Sequence, residues 1–304
     1  MDYIFVAIGL LGLFLGGDAL VRGAVGVARK LAMPPLLIGL TVVGFGTSMP
    51  ELLVSAQAAL GGAPALAIGN IVGSNIGNIL LIAGISALIW PIRVNGAALR
   101  TDIGFMLGAT LALVPLFWLG EVGRIAGALL FAGLLVYLVT SYRNSQGTEE
   151  AEAMESASPL WKSLLWLAFG FAALLAGARF LVDGSVNIAR SFGVSEAFIG
   201  LTVVAIGTSL PELATSLAAA LKRHSDIAVG NIVGSNIFNV LGILGITAMI
   251  APIPVDPRFL TFDLPALLAA TLALAALLLW RPVIGRGVGA LLLASYATYI
   301  VTAQ

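Results

Sequence analysis

Cysteine is absent from all 304 residues, histidine occurs once, and charged side chains make up only 10% of the chain. The first absence excludes disulfides, thiol catalysis and thiolate metal centres. No His, Cys or Ser-Lys set falls inside the apolar stretches, so the chain offers nothing for an intramembrane enzyme. Net charge is zero and no basic tract exists, which removes nucleic acid as a partner; no obligatory protein partner is implied either. What the sequence has in excess is apolar surface: 60% of residues are hydrophobic and mean hydropathy is +1.06. Such a chain needs lipid as its solvent.

Ten apolar runs of 18 or more residues follow one another, at about 3–28, 34–60, 65–90, 97–119, 122–141, 160–187, 197–221, 227–250, 260–280 and 284–301. A helix of about 20 such residues crosses the roughly 30 Å hydrocarbon core, so an all-α membrane protein of ten transmembrane helices is expected. The first run follows only Met1, Asp2 and Tyr3; lacking a basic n-region, it reads as a span and not as a signal peptide. Lys and Arg cluster after the odd-numbered spans, where ten fall, against three after the even-numbered ones. Positive charge is retained on the cytoplasmic side, which predicts both termini outside.

Gly39-Leu-Thr-Val-Val returns as Gly200-Leu-Thr-Val-Val, an offset of 161 that also carries Pro50-Glu51-Leu52 onto Pro211-Glu212-Leu213. Between 39–84 and 200–245, 28 of 46 positions are identical. Five spans per copy is an odd number, so the second copy must enter the membrane from the opposite face, giving two inverted repeats at 1–142 and 160–304. Between them 143–159, rich in Glu and polar residues, reads as a cytoplasmic linker.

The second and seventh spans carry one interruption, Gly44-Phe-Gly46-Thr47-Ser48-Met-Pro50-Glu51 and Ala205-Ile-Gly207-Thr208-Ser209-Leu-Pro211-Glu212. Proline lacks an N–H and clashes with the preceding turn, so each helix should break there and free carbonyls that only a cavity or a ligand can satisfy. Glu51 and Glu212 fall deep in their runs, where a charge costs roughly 2.5–3.5 kcal/mol. A capping box of Ser48 with Glu51, and of Ser209 with Glu212, is one reading. It would still bring two carboxylates together without a counter-cation. Two bidentate carboxylates with the carbonyls of Thr47 and Thr208 make six hard oxygens and a charge of −2, which suits dehydrated Ca²⁺ better than Mg²⁺.

The third and eighth spans share Gly69-Asn70-Ile-Val-Gly73-Ser74-Asn75-Ile-Gly-Asn78 and Gly230-Asn231-Ile-Val-Gly234-Ser235-Asn236-Ile-Phe-Asn239. Packing explains the glycines. It explains the amides less well, and Ser48, Ser209, Ser74, Ser235, Asn78 and Asn239 could frame weaker sites for monovalent ions. The second, third, seventh and eighth helices are expected to be discontinuous around this central site. Asp18 with Arg22 and Arg179 with Asp183 are one turn apart and read as structural charge pairs. Asp102 and Asp263, near helix starts, read as caps, and His224, between Arg223 and Ser225, as a solvated loop residue.

With G-T-S-x-P-E and G-S-N-I-x-N both doubled, the chain resembles the cation/calcium exchanger superfamily, and within it the prokaryotic sodium/calcium exchangers, whose hallmark α-repeats here span 39–84 and 200–245. The resemblance implies a cell-membrane antiporter exchanging Ca²⁺ for Na⁺ by alternating access, with no cofactor. It implies Ca²⁺ at Glu51, Glu212, Thr47 and Thr208, and Na⁺ or the central position at the six Ser and Asn residues with the carbonyls of Gly44 and Ala205. Several relatives, potassium-dependent ones included, carry Asp where this chain has Asn239, so no K⁺ co-transport is expected. Ca²⁺/H⁺ antiport, another divalent substrate and, from a different class, a cation channel are the alternatives. Helices 1 and 6 are expected to slide over the rest, eased by Gly12, Gly16, Gly17, Gly170 and Gly177.

Overall fold

The computed structural model describes residues 2–31, 33–145, 159–192 and 205–303. The second Gly-Leu-Thr-Val-Val and most of the linker lie outside the described residues. The helices are α1 Asp2–Lys30, α2 Pro35–Thr47, α3 Met49–Leu60, α4 Pro64–Ile89, α5 Arg100–Trp118 and α6 Arg124–Ser145, followed by α7 Leu160–Ser191, α8 Ala205–Thr208, α9 Leu210–Leu221, α10 Ser225–Ile250, α11 Phe259–Trp280 and α12 Arg286–Thr302. Seven of them are each long and apolar enough to cross a bilayer, and α2 with α3, bent by 42°, makes an eighth span. The 17 residues of α12 reach about 26 Å at 1.5 Å per residue, just short of the hydrocarbon thickness. The protein is an all-helical membrane protein, and its exposed Phe14, Trp118 and Leu129 face lipid at no hydrophobic cost.

The predicted interruption of the second and seventh spans is present. Ser48 (φ −84°, ψ 8°) and Ser209 (φ −87°, ψ 6°) separate α2 from α3 and α8 from α9. Pro50 and Pro211 each fall in the first turn after the break, where the missing N–H would have had no helical partner. The third and eighth spans differ from expectation: α4 and α10 run unbroken, each with a π segment, Asn78–Ile82 and Phe238–Leu244. A π turn admits an extra residue without severing the helix, so the register of Asn78 and Asn239 is reset while the backbone stays paired.

α4 and α10 are the most buried helices. Ile68, Ile71, Ile76 and Ile79 of one and Val233, Ile237 and Val240 of the other sit in a core shared with α5, α6, α11 and α12. A second apolar cluster joins α1 and α7 to α2, through Leu20, Leu174 and Val43. The only strands among the described residues form two antiparallel ladders, β1 Ile92–Arg93 with β4 Val283–Ile284 and β2 Glu121–Val122 with β3 Ile253–Pro254. Each joins a loop of one half to a loop of the other.

The glycines expected to smooth sliding do something else. A Cβ on Gly12 would lie 2.9 Å from Gly177 Cα, on Gly16 2.7 Å from Leu174 N, on Gly170 2.6 Å from Leu20 N, and on Gly177 2.7 Å from Leu13 N. They let α1 and α7 touch backbone to backbone and bind the two into one unit. Gly17 alone of the five faces the core, against the Ala214 carbonyl.

Asp102 and Asp263 make no side-chain cap. Asp102 accepts hydrogen bonds from Tyr137 (3.2 Å) and Ser141 (3.3 Å) of α6, and Asp263 accepts one from Tyr299 of α12 (2.8 Å). A buried carboxylate is satisfied better by a neighbouring helix than by its own first turn. His224 is half-buried, not solvated; burial, then the charges of Arg29 and Lys222, hold its imidazole below the usual range.

Candidate functional site

Both glutamates are buried, Glu51 at 1% and Glu212 at 2% exposure. The break places each in the first turn of α3 or α9, directed inward. Neither capping box forms. Ser48 instead donates to Glu212 Oε1 at 2.9 Å, and Ser209 lies 3.3 Å from Glu51 Oε1. Each carboxylate is thus met by the serine of the opposite half. The second oxygens, Glu51 Oε2 and Glu212 Oε2, have no protein partner.

Two more of the expected residues, Ser74 and Ser235, are linked to this pair's serine or to its helix break. Ser74 lies 3.4 Å from Ser209 Oγ, and Ser235 donates to the Gly44 carbonyl at 3.4 Å. That carbonyl is therefore already an acceptor. Asn239 donates to Asn75 Oδ1 at 2.9 Å, leaving its own Oδ1 without a partner, and both amide atoms of buried Asn78 are unpartnered. Thr47 turns its hydroxyl to Val43 O (3.0 Å) and Asn231 Oδ1 (3.1 Å), and Thr208 turns its own to Asn70 Oδ1 (3.4 Å). Ala205 opens the described part of the seventh span.

Four buried, unpartnered oxygens, two anionic and two amide, are hard donors, and an unpaired buried carboxylate costs several kcal/mol. A hard cation carried as substrate fits them. No group of three or more acidic or imidazole side chains suited to a metal occurs among the described residues, so two carboxylates and neutral oxygens are all the donor set provides.

The charge pairs lie outside the site. Arg22 Nε is 2.7 Å from Asp18 Oδ2, and exposed Arg179 Nε is 3.8 Å from Asp183 Oδ2. Sequence reasoning missed a third member: Lys222 Nζ lies 2.7 Å from Asp18 Oδ1 and donates to the Asp18 carbonyl at 2.9 Å. It also passed over Asn70, Asn231, Ser55 and Ser216, which form two hydrogen-bonded clusters behind the glutamates. The doubled Gly-Asn was visible, but not what its amides touch.

Two buried carboxylates at paired helix breaks in an all-helical membrane protein are features of an ion transporter and not of an enzyme. A family model described as sodium/calcium exchanger protein matches residues 1–143 and 162–303, and the chain belongs to that family. It is 31% identical over 344 residues to the sodium/calcium exchanger MaX1 of Methanosarcina acetivorans, covering 99% of this chain and 98% of that one. To the inner membrane protein YrbG of Escherichia coli it is 39% identical over 305 residues, covering 96% and 94%. A solved structure of the sodium-calcium exchanger NCX_Mj, soaked with 10 mM Na⁺ and zero Ca²⁺, matches with a TM-score of 0.88 at 33% identity, covering 100% of this chain and 99% of that chain.

Proposed function

We propose that the chain exchanges Ca²⁺ for Na⁺ across a prokaryotic cell membrane by alternating access, through ten helices arranged as two inverted repeats, 1–142 and 160–304. Both termini face outside and the 143–159 linker faces the cytoplasm. Ca²⁺ binds between Glu51 and Glu212 with the carbonyls of Thr47 and Thr208. Na⁺ uses the same carboxylates with Ser48, Ser74, Ser209, Ser235, Asn78, Asn239 and the carbonyls of Gly44 and Ala205. The observation that carries this reading is the reciprocal contact of each glutamate with the other half's serine, which leaves one oxygen of each carboxylate free. An empty site holds two unpaired anions in a low dielectric and resists crossing; one Ca²⁺ or several Na⁺ neutralise it, and competition for it couples the two fluxes. Three Na⁺ per Ca²⁺ would move net charge.

The test is uptake of labelled Ca²⁺ into vesicles holding the purified protein, with Na⁺, H⁺ and K⁺ gradients imposed singly. An outward Na⁺ gradient is expected to drive saturable uptake and a K⁺ gradient to add nothing. Uptake driven by a pH gradient without Na⁺ would replace Na⁺ by H⁺ as the counter-ion, and sustained current without a counter-ion would make the protein a channel.

Sliding of the α1/α7 unit over the core is the motion proposed for alternating access, and Asp18 with Lys222 ties that unit to the core. By the offset of 161 the matching positions are Arg179 and Gly61, which cannot form such a tie, so the contact favours one orientation. Lys222→Met is expected to remove about 1 kcal/mol of that bias, a severalfold population change. Labelling of a single cysteine placed beside the site, in a chain with no others, reads it; an unchanged labelling rate from each side would show that the tie has no such role.

A further inference from the structure

Asn70 and Asn231 belong to the doubled motif, and every polar atom of their side chains is engaged within the protein. Asn231, fully buried, donates through Nδ2 to the Glu212 carbonyl (3.1 Å) and to Ser216 Oγ (2.9 Å), and its Oδ1 accepts from the Thr47 hydroxyl (3.1 Å). Asn70 does the same in the other half, with the Glu51 carbonyl at 3.1 Å, Ser55 Oγ at 3.0 Å and the Thr208 hydroxyl at 3.4 Å. Packing alone would require neither the amide nor the same three bonds at both positions.

We propose that Asn70 and Asn231 are positioning residues of the cation site, each clamping the turn that carries a glutamate in one half to the threonine at the helix break of the other half. An amide is planar, with two donor hydrogens on one side and an acceptor on the other, so its three bonds fix a direction as well as a distance. Through Asn231, α10 holds the first turn of α9 at a set spacing from the end of α2, and with it the Glu212 carboxylate from the Thr47 carbonyl. The isosteric aspartate cannot supply the two donors, and leucine supplies neither donor nor acceptor. The clamp rests on the proposed cation position between Glu51 and Glu212.

A double-mutant cycle tests it, with Ca²⁺ titrated calorimetrically into the full chain in detergent for wild type, Asn231→Ala, Thr47→Val and the double variant. Each single change is expected to weaken Ca²⁺ binding about tenfold, the scale of one lost buried hydrogen bond. The double variant should be no weaker than the weaker single one, since both remove the same link. A merely structural asparagine would lower thermal stability and leave Ca²⁺ affinity uncoupled from Thr47. Losses that multiply in full, or an unchanged affinity in Asn231→Ala, overturn the clamp alone, whereas a wild-type chain that binds no Ca²⁺ overturns it together with the proposed function. Should Asn231→Ala fail to stay monodisperse, Ser216→Ala, which removes one of the bonds that orient the amide, takes its place in the cycle; losses that combine to less than their product are expected, and full additivity overturns the clamp.

Discussion

Glu51→Gln is expected to cut Na⁺-driven Ca²⁺ uptake in reconstituted vesicles on the order of 100-fold or more, because truncating one side of a buried charge contact costs about 2–5 kcal/mol. Glutamine keeps the volume and still offers an oxygen to Ser209, which lies 3.3 Å from Glu51 Oε1, so the fold should survive. What is lost is one of two anions. The remaining carboxylate leaves a bound Ca²⁺ with an uncompensated positive charge in a region that lipid and apolar side chains have dried. Glu212→Gln should behave alike, since Ser48 meets it in the same way at 2.9 Å. Normal uptake by either variant would place the transported ion elsewhere.

Gly234→Ala, the addition of one methyl group, is expected to be nearly as damaging for a different reason. The new Cβ would enter the Leu40 carbonyl oxygen and stand 2.9 Å from Leu40 C and Cα. These are backbone atoms of α2, so no rotamer change relieves the clash. Beside it, a Cβ on Gly44 would lie 3.1 Å from Ser235 N, so α2 and α10 meet over a glycine seam that ends at the proposed ion site. Forced apart by a few tenths of an ångström, the helices lose about 1–3 kcal/mol of packing. Ser235 then loses its 3.4 Å contact with the Gly44 carbonyl. The expected readouts are a lower melting temperature in detergent and weakened Ca²⁺ binding. The same substitution at Gly104, where a Cβ meets nothing within 4 Å, should alter neither and serves as the control. Wild-type behaviour of Gly234→Ala would mean that the seam yields more readily than its contacts imply.

The asymmetry between legible and illegible features runs through the site. The breaks at Ser48 and Ser209, the depth of Glu51 and Glu212 and the recurrence of Asn78 and Asn239 were all readable. Proline and glycine act on their own backbone, and a repeated apolar run reveals where a charge does not belong. The partners of those residues were not readable. The S-x-x-E spacing allowed a box closed within one helix, and the structure links each glutamate to a serine 158 or 164 positions away. Asp102 looked like a cap and is bound by Tyr137. Gly12 and Gly177 suggested a sliding surface and instead weld α1 to α7.

The sequence by itself determined that this chain lives in lipid, uses one unit twice, breaks a helix in each copy and carries two acidic side chains into the interior. Each of these follows from local covalent chemistry and from the cost of charge in hydrocarbon. Only the tertiary structure decided that the halves are linked through serines, asparagines and loop ladders, and that α4 and α10 pass through π turns without breaking. A hydrogen bond across some 160 residues depends on how two surfaces meet, and no spacing along one helix encodes that meeting.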